Sequence, residues 1–173
     1  TILDNLMTYI VENDFHLIDL NGKPSLWGRW NPEYVNRFPQ MVGDRKICSS
    51  NIIAFLQSAY KHTGKEIFKE KAYYLMNEHN YLENLLRPFS EIGPAPDDAD
   101  NWSKMLSEEW NHSDDEMYFL AYWALYPYAF NDSLKLLYKE AIKDHWNFIK
   151  PEKNSLWNFC YAMTGSDEFD LNE

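Results

Sequence analysis

The chain repeats a short segment of its own sequence. Residues 59–68 read AYKHTGKEIF, and 101 positions later residues 160–169 read CYAMTGSDEF. A related unit lies between them, from Ser113 to about Trp146. Repeats of this length are typical of stacked supersecondary units, none of which can bury its apolar face alone. The repeat therefore constrains the architecture of the chain more than its activity.

Most of the chain shows the apolar spacing of amphipathic helices. In these stretches apolar residues recur every three or four positions, so that they share one face of a helix. Gly64 and Gly165 follow two of the stretches, where a glycine in a left-handed conformation commonly ends a helix. Pro127 is expected to interrupt or kink another. The predicted helices cover about residues 2–13, 52–60, 68–79, 117–128, 134–145 and 155–163.

One segment has a different pattern and predicts a short β-hairpin. Residues 16–20 alternate as a strand does, and Asn21-Gly22 is a strong hairpin turn signal. The return strand would run from Pro24 to Trp30. We therefore expect an all-α protein with one short β-hairpin near residues 16–30.

The repeating unit is predicted to be a helical hairpin with unequal members. Residues 117–128 carry aromatic side chains on more than one face, whereas residues 134–145 have a charged outer face. A helix that is apolar nearly all round is enclosed, and a helix with one apolar stripe lies outside. Alternating inner and outer helices close naturally into an α/α toroid. We predict an α/α toroid-like array of about three helical hairpins, formed by residues 1–173 as a single domain.

Composition restricts the partners of such a domain. Its aromatic content is high, at 17%, and its net charge is −11. An acidic chain is a poor match for nucleic acid or an anionic membrane, and no apolar run approaches the roughly 18 residues that span a bilayer. A neutral small-molecule ligand fits better. No cofactor motif occurs, so no cofactor is expected, and the residues leave the cellular location open.

An acidic and aromatic cluster precedes the predicted helix at residues 117–128. Its members are Trp110, Asn111, His112, Ser113, Asp114, Asp115 and Glu116. The N-termini of inner helices line the concave face of a toroid. Asp114 and Asp115 could there act as the general acid and base of glycoside hydrolysis, which needs two carboxyl groups flanking the scissile bond. As an alternative, His112 and these carboxylates would hold a divalent cation.

A structural interpretation competes with both hypotheses. Ser113 and Glu116 have the spacing of a capping box, in which each side chain satisfies a free backbone N–H group. Asp114 and Asp115 would complement the helix dipole from the first turn. We predict that capping explains Ser113 and Glu116, and we keep the two aspartates as candidate catalytic residues.

Aromatic and amide side chains are the candidate ligand-binding groups. Aromatic rings stack on the C–H faces of sugars, while amides bind the hydroxyl groups. The alternative is packing and capping: Trp27 and Trp30 should face opposite ways from their strand, so one of them belongs to the core. Asn154 or Ser155 has the position of an N-cap, with Trp157 as a packing residue. The candidate substrate-binding residues are Trp27, Trp30, Trp110, Asn111, His112, Asn154 and Trp157.

Three segments resemble an uncharacterised bacterial family that is itself similar to six-hairpin glycosidase-like proteins. They are residues 19–33 (DLNGKPSLWGRWNPE), 111–116 (NHSDDE) and 154–159 (NSLWNF). The resemblance implies an (α/α)6 toroid, of which 173 residues would form only part. It also implies a carbohydrate-active protein that hydrolyses or binds glycans, in a periplasmic or secreted location.

A partial toroid would have an open edge. Its last inner helix has no neighbour, so we expect a second copy of the chain or a further domain to cover the apolar surface there. This edge supports an alternative function, a non-catalytic sugar-binding or protein-binding helical module. The two functions differ in whether a second carboxylate lies near Asp114.

Overall fold

The structure is a computed structural model that describes residues 1–38, 41–92, 98, 100–101, 104 and 112–167, with the backbone alone for His112. These residues form eight α-helices and one antiparallel β-hairpin. The elements are α1 (Ile2–Glu12), β1 (His16–Ile18), β2 (Pro24–Arg29), α2 (Pro32–Val35), α3 (Val42–Thr63), α4 (Glu66–Glu78), α5 (Tyr81–Leu86), α6 (His112–Leu125), α7 (Asp132–Ile149) and α8 (Ser155–Ala162). Short 3-10 turns follow α5 and α7, at Phe89–Glu91 and Lys150–Glu152.

The two long inner helices, α3 and α6, pack side by side and run parallel. Near their first turns, the hydroxyl of Tyr118 donates a hydrogen bond of 2.7 Å to the Gly43 carbonyl. Near the end of α6, Nε2 of Gln57 donates one of 3.0 Å to the Leu125 carbonyl. From the first hydrogen bond to the second, the residue numbers rise on both helices, from 43 to 57 on α3 and from 118 to 125 on α6. The two helices are therefore parallel.

Helix α8 continues the inner layer on the other side of α6. The rings of Phe119 and Trp157 stack with centroids 5.6 Å apart, and those of Trp123 and Phe159 with centroids 5.4 Å apart. Their order shows that α6 and α8 are also parallel. Helices α4 and α7 pack outside as the return members of the hairpins. The prediction of an all-α fold with one short β-hairpin is confirmed.

The core lies between the inner and outer layers. Both layers contribute side chains to it, and the amphipathic helices do so with the apolar stripes that their sequences predict. Full burial of a large apolar side chain contributes about 1.5–3 kcal/mol, so this layer dominates the stability of the fold. Members with no more than 1% exposure include Ile52, Leu56, Phe68, Leu75, Tyr81, Phe119 and Tyr138.

Glycine and proline end the inner helices as their sequence positions predict. Gly64 and Gly165, at equivalent points of the repeat, have φ of 70° and 78°. The Gly64 N–H donates a 2.8 Å hydrogen bond to the carbonyl of Tyr60, which closes the last turn of α3. Helix α6 ends at Leu125, just before Pro127, because a proline disfavours helical geometry in the residue that precedes it.

Two predicted helix starts are wrong. The sequence predicts that the first inner helix begins near residue 52, but α3 begins at Val42 and fully buries Ser49 and Ser50. The Ser49 hydroxyl accepts a hydrogen bond from Nδ2 of Asn84, so it serves the core rather than a cap. Helix α6 begins at His112, which puts Ser113 inside the first turn and not at the predicted capping position.

Candidate functional site

The side chain of Asp115 points into the core. Its Oδ1 lies 2.9 Å from Nε2 of His145, and Nδ1 of His145 lies 2.9 Å from the hydroxyl of Tyr122. The Asp115 side chain is 10% exposed and that of His145 is 0% exposed. This hydrogen-bonded chain ties α6 to α7. A catalytic role for Asp115 stays a prediction. In the structure, the Asp115 carboxyl group contacts His145 in the core.

The chemistry of its partners fixes the protonation of His145. A carboxylate can only accept, so Nε2 carries the hydrogen and Nδ1 accepts the hydrogen of the Tyr122 hydroxyl. The ring of Phe89 stacks on the imidazole, with centroids 3.6 Å apart. Burial lowers the pKa of His145 to about 4, and the hydrogen bond that Nε2 donates to Asp115 opposes this shift only partly. His145 is therefore neutral at neutral pH and acts as a structural bridge.

Asp114 is half-buried and lies within electrostatic reach of Asp44, which belongs to the first turn of α3. Burial raises the pKa of the Asp114 carboxyl, and the negative charges of Asp44 and Asp115 raise it further. Loss of hydration also raises the pKa of Asp44. The two carboxyl groups thus interact across the N-terminal ends of two parallel inner helices. Each has an increased tendency to hold a proton.

Cys48 lies one helical turn after Asp44 and belongs to the same surface. Burial, and then the charges of Asp44 and Asp114, raise the pKa of the Cys48 thiol to about 12. A thiol of this kind stays protonated at neutral pH and is a poor nucleophile. Cys48 and Cys160 are both free thiols, so no disulfide links the helices that carry them.

A small cavity opens beside Asp44, between α2 and the first turns of α3. Its volume is about 140 Å³. The walls are largely apolar and include two aromatic rings, and Asp44 supplies a carboxyl group at the rim. The lining residues are Tyr34, Val35, Phe38, Met41, Asp44 and Cys48.

The predicted ligand-binding tryptophans do not meet in one place. Trp27 is 82% exposed on the hairpin, whereas Trp30 packs edge-on against Phe55, with ring centroids 5.5 Å apart. The expectation that one of these two tryptophans joins the core is confirmed for Trp30. Trp157 is buried against α6, and Asn154 accepts a hydrogen bond of 3.0 Å from the Leu156 N–H as the N-cap of α8.

Three candidate residues lack a described side chain. Trp110 and Asn111 lie outside the described residues, and His112 is described by its backbone alone. Their predicted roles stay predictions. Within the described ranges, no group of three or more histidine, cysteine, aspartate or glutamate side chains has the arrangement of a metal site.

Sequence reasoning missed Asp44, and a helical pattern could have found it. Asp44, Cys48, Asn51 and Phe55 recur at spacings of four, three and four, which place them on one face of α3. The predicted helix over residues 52–60 leaves out most of that face. With α3 begun at Val42, Asp44 occupies the first turn, as Asp114 does in α6.

A second surface feature lies farther along the inner helices. Trp123 is 47% exposed and Phe159 is 54% exposed, although the two rings stack on each other. Leu120 and Leu156, one turn earlier on the same helices, are exposed as well. These four residues form what we call the apolar inner face. It contains no charged side chain of its own.

No family model, no curated protein and no solved structure matches this chain. Of the helices that the structure describes, none combines the length and apolar character that crossing a membrane would require. The resemblance to six-hairpin glycosidase-like proteins therefore stays a prediction from three sequence segments.

Proposed function

We propose that this protein binds glycans at the N-terminal ends of α3 and α6, and that Asp114 and Asp44 act there as the acid and base of glycoside hydrolysis. The observation that carries the proposal is the electrostatic interaction of these two carboxyl groups, one of which lines a cavity. Asp114 comes from the sequence prediction. Asp44 is the second carboxylate that the catalytic hypothesis requires.

The properties of the pair suit this chemistry. Glycoside hydrolysis uses one carboxyl group that holds a proton and a second that is ionised, and unequal environments separate their pKa values. Both pKa values are raised: that of Asp114 by burial and by two neighbouring carboxylates, and that of the more exposed Asp44 by loss of hydration alone. We therefore assign Asp114 as the general acid and Asp44 as the ionised partner. The net charge of −11 favours a neutral ligand such as a glycan over an anionic one.

A panel of oligosaccharides tests the proposal. The wild type should release reducing sugar from at least one member. Asp114→Asn and Asp44→Asn should each lower that rate by about 100-fold or more, which is the usual contribution of a general acid or base. Glu116→Gln is the matched control, because Glu116 is an exposed carboxylate in the same turn region of α6. An equal loss in the control, or full activity in both aspartate variants, would contradict the assignment.

A second candidate function rests on the apolar inner face. Soluble proteins rarely expose large contiguous apolar patches, and such patches mark interaction sites. Its four residues are uncharged, so two copies of this strongly acidic chain could meet there without placing like charges opposite each other. Under this proposal the chain is a helical module that self-associates, with or without glycan binding.

Sedimentation velocity tests the second candidate. The wild type should sediment as a dimer at micromolar concentration, and Phe159→Lys should convert it to a monomer. Leu136→Lys is the control, since Leu136 is 65% exposed on the outer helix α7. A monomeric wild type, or a dimer that survives Phe159→Lys, would refute self-association at this face.

A further inference from the structure

The cavity beside Asp44 has the size of one small ring. Its volume is about 140 Å³. An apolar protein cavity of about 150 Å³ is large enough to bind benzene. Tyr34 and Phe38 are partly exposed at the cavity, whereas Val35 is 5% exposed and forms a buried wall. A ring-sized group can therefore enter from the surface without displacing the core.

The walls of the cavity determine what kind of ring fits. Val35, Phe38 and Met41 provide no side-chain hydrogen-bond partner, and the protonated thiol of Cys48 is a weak one. The strong polar groups of the lining are the Tyr34 hydroxyl and the Asp44 carboxyl. An unsubstituted sugar ring would lose several hydrogen bonds to water there, and each unreplaced bond costs about 1–3 kcal/mol. An apolar ring loses none and gains from leaving water.

Asp44 places the cavity next to the proposed reaction. Its carboxyl group is at the same time a member of the pair with Asp114 and part of the cavity rim. A group held in the cavity therefore lies against the carboxylates rather than at a remote point of the surface. In a glycoside, the group on the non-sugar side of the glycosidic bond is the aglycone.

We propose that the cavity lined by Tyr34, Val35, Phe38, Met41 and Cys48 binds the apolar ring of an aglycone, so that the preferred ligands are aryl glycosides. This inference rests on the proposed glycan function and specifies its substrate class. Binding of the ring requires the space beside Cys48, while binding of the sugar requires the carboxyl pair.

Matched ligands separate the two requirements. The probes are phenol alone and the methyl and phenyl glycosides of glucose, galactose and mannose, with binding followed by ligand-observed NMR and calorimetry. Cys48→Met fills the cavity, and Cys48→Ser is the matched control that leaves it open. Tyr34→Ala removes an exposed wall and serves as a second variant if Cys48→Met does not fold.

The expected result is a phenyl glycoside that binds at least about tenfold more tightly than its methyl counterpart, as burial of an aromatic ring implies. Cys48→Met and Tyr34→Ala should lower the affinity for the phenyl glycoside to that of its methyl counterpart. Cys48→Ser should keep the preference for the phenyl glycoside.

Equal binding of methyl and phenyl glycosides, or a preference that survives Cys48→Met and Tyr34→Ala, would overturn the inference and leave the glycan proposal standing. Loss of methyl glycoside binding in Cys48→Met would also overturn it, because the sugar would then occupy the cavity. Phenol binding that depends on Cys48, with no binding of any glycoside, would support the ring site and refute the glycan function. If neither phenol nor any phenyl glycoside binds, the ring site is refuted. In that case, binding of a methyl glycoside would support the glycan proposal, and its absence would count against that proposal.

Discussion

His145 shows how burial decides the chemistry of a single residue. Its imidazole lies between Asp115 and Tyr122, and the other charged groups that face it are Asp144 on its own helix and Lys46 on α3. The two aspartates favour the protonated ring, but burial and Lys46 favour the neutral one. Burial is the largest of these effects, so the folded protein keeps a neutral histidine in its core.

This histidine should make the fold sensitive to acid. The pKa of His145 is about 4 in the folded chain, against 6.5 for an unperturbed histidine. Between pH 6.5 and pH 4 this histidine is protonated in the unfolded chain and neutral in the folded chain. The stability that is present above pH 6.5 is therefore lost as the pH falls toward 4. The loss is about 3 kcal/mol.

Urea unfolding at a series of pH values measures this effect. The free energy of unfolding of the wild type should fall relative to that of His145→Gln between pH 7 and pH 4. The variant removes the titrating imidazole and leaves the carboxyl groups of the protein in place. A difference between the two proteins that does not depend on pH would contradict the prediction.

The two neighbouring aspartates should differ in their effect on stability. Asp115→Ala removes the acceptor of the His145 Nε2–H group and leaves that donor buried and unpaired, at a cost of about 1–3 kcal/mol. Asp114→Ala removes a carboxyl group that its neighbours repel, so it should cost less than Asp115→Ala. Chemical denaturation of both variants gives the comparison. Equal losses would show that Asp115 and His145 are not specially coupled.

At the scale of elements, the αL glycine that ends α3 is the feature most open to test. Gly64 has φ of 70°, and a Cβ atom there would meet no neighbour within 4 Å. Gly64→Ala should therefore act through backbone strain alone and destabilise the fold by about 1–2 kcal/mol. Gly43→Ala is the control, because Gly43 lies within the helix and a Cβ there makes ordinary contact with Ile92. Thermal unfolding of the two variants should separate them clearly, and equal stability would contradict the helix-end role.

The helices that the sequence predicts best are those with one strong apolar stripe. Helices α4 and α7 follow this pattern, and the structure has them close to the predicted positions. Helix α5 is not predicted, since six residues are too few to establish a helical period. The early start of α3 was also missed, because Val42, Gly43 and the charged residues that follow do not form an apolar stripe.

Lys46 explains why the first turns of α3 mislead a sequence-based prediction. A lysine normally marks an exposed position, but Lys46 is fully buried, and its Nζ donates hydrogen bonds of 2.6 Å and 2.7 Å to the carbonyls of Leu85 and Arg87. These carbonyls lie at the end of α5, where a positive charge is favourable. Long-range contacts of this kind leave no local signal.

At the scale of the whole molecule, Gln57 joins the two main helical hairpins. Its Nε2 donates to the Leu125 carbonyl on α6, and its Oε1 accepts a 2.9 Å hydrogen bond from the Tyr138 hydroxyl on α7. Gln57 has no exposed surface. Both partners would therefore lose a buried hydrogen bond if the amide were removed.

Gln57→Leu should lower the free energy of unfolding by about 2–4 kcal/mol, since the Leu125 carbonyl loses this donor and the Tyr138 hydroxyl keeps only the weak acceptor Met76 Sδ, 3.7 Å away, among the described residues. Ser58→Ala is the control on the same helix, because its hydroxyl bonds only within α3, to the Ala54 carbonyl. It should change stability by less than about 1 kcal/mol. A small effect of Gln57→Leu would show that the hairpins do not depend on this link.

The candidate site was only partly predictable from the sequence, because it too depends on a contact between residues far apart in the chain. Asp114 stands out in the sequence as part of an acidic cluster, but its partner Asp44 lies 70 positions earlier and becomes a neighbour only when α3 and α6 align in parallel. The same alignment turns Asp115 inward to His145. Asp114 and Asp115 are adjacent in α6, yet one carboxyl group is half-buried near the surface and the other lies in the core. The sequence alone does not show which of the two points inward.

The most direct test of the paired carboxyl groups is the titration of Asp114 by carboxyl-carbon NMR, in the wild type and in Asp44→Asn. The pKa of Asp114 should lie above its ordinary value in the wild type. It should fall in Asp44→Asn, because the variant removes a nearby negative charge. An ordinary pKa in the wild type, or one that Asp44→Asn leaves unchanged, would contradict the pairing on which the proposed function depends.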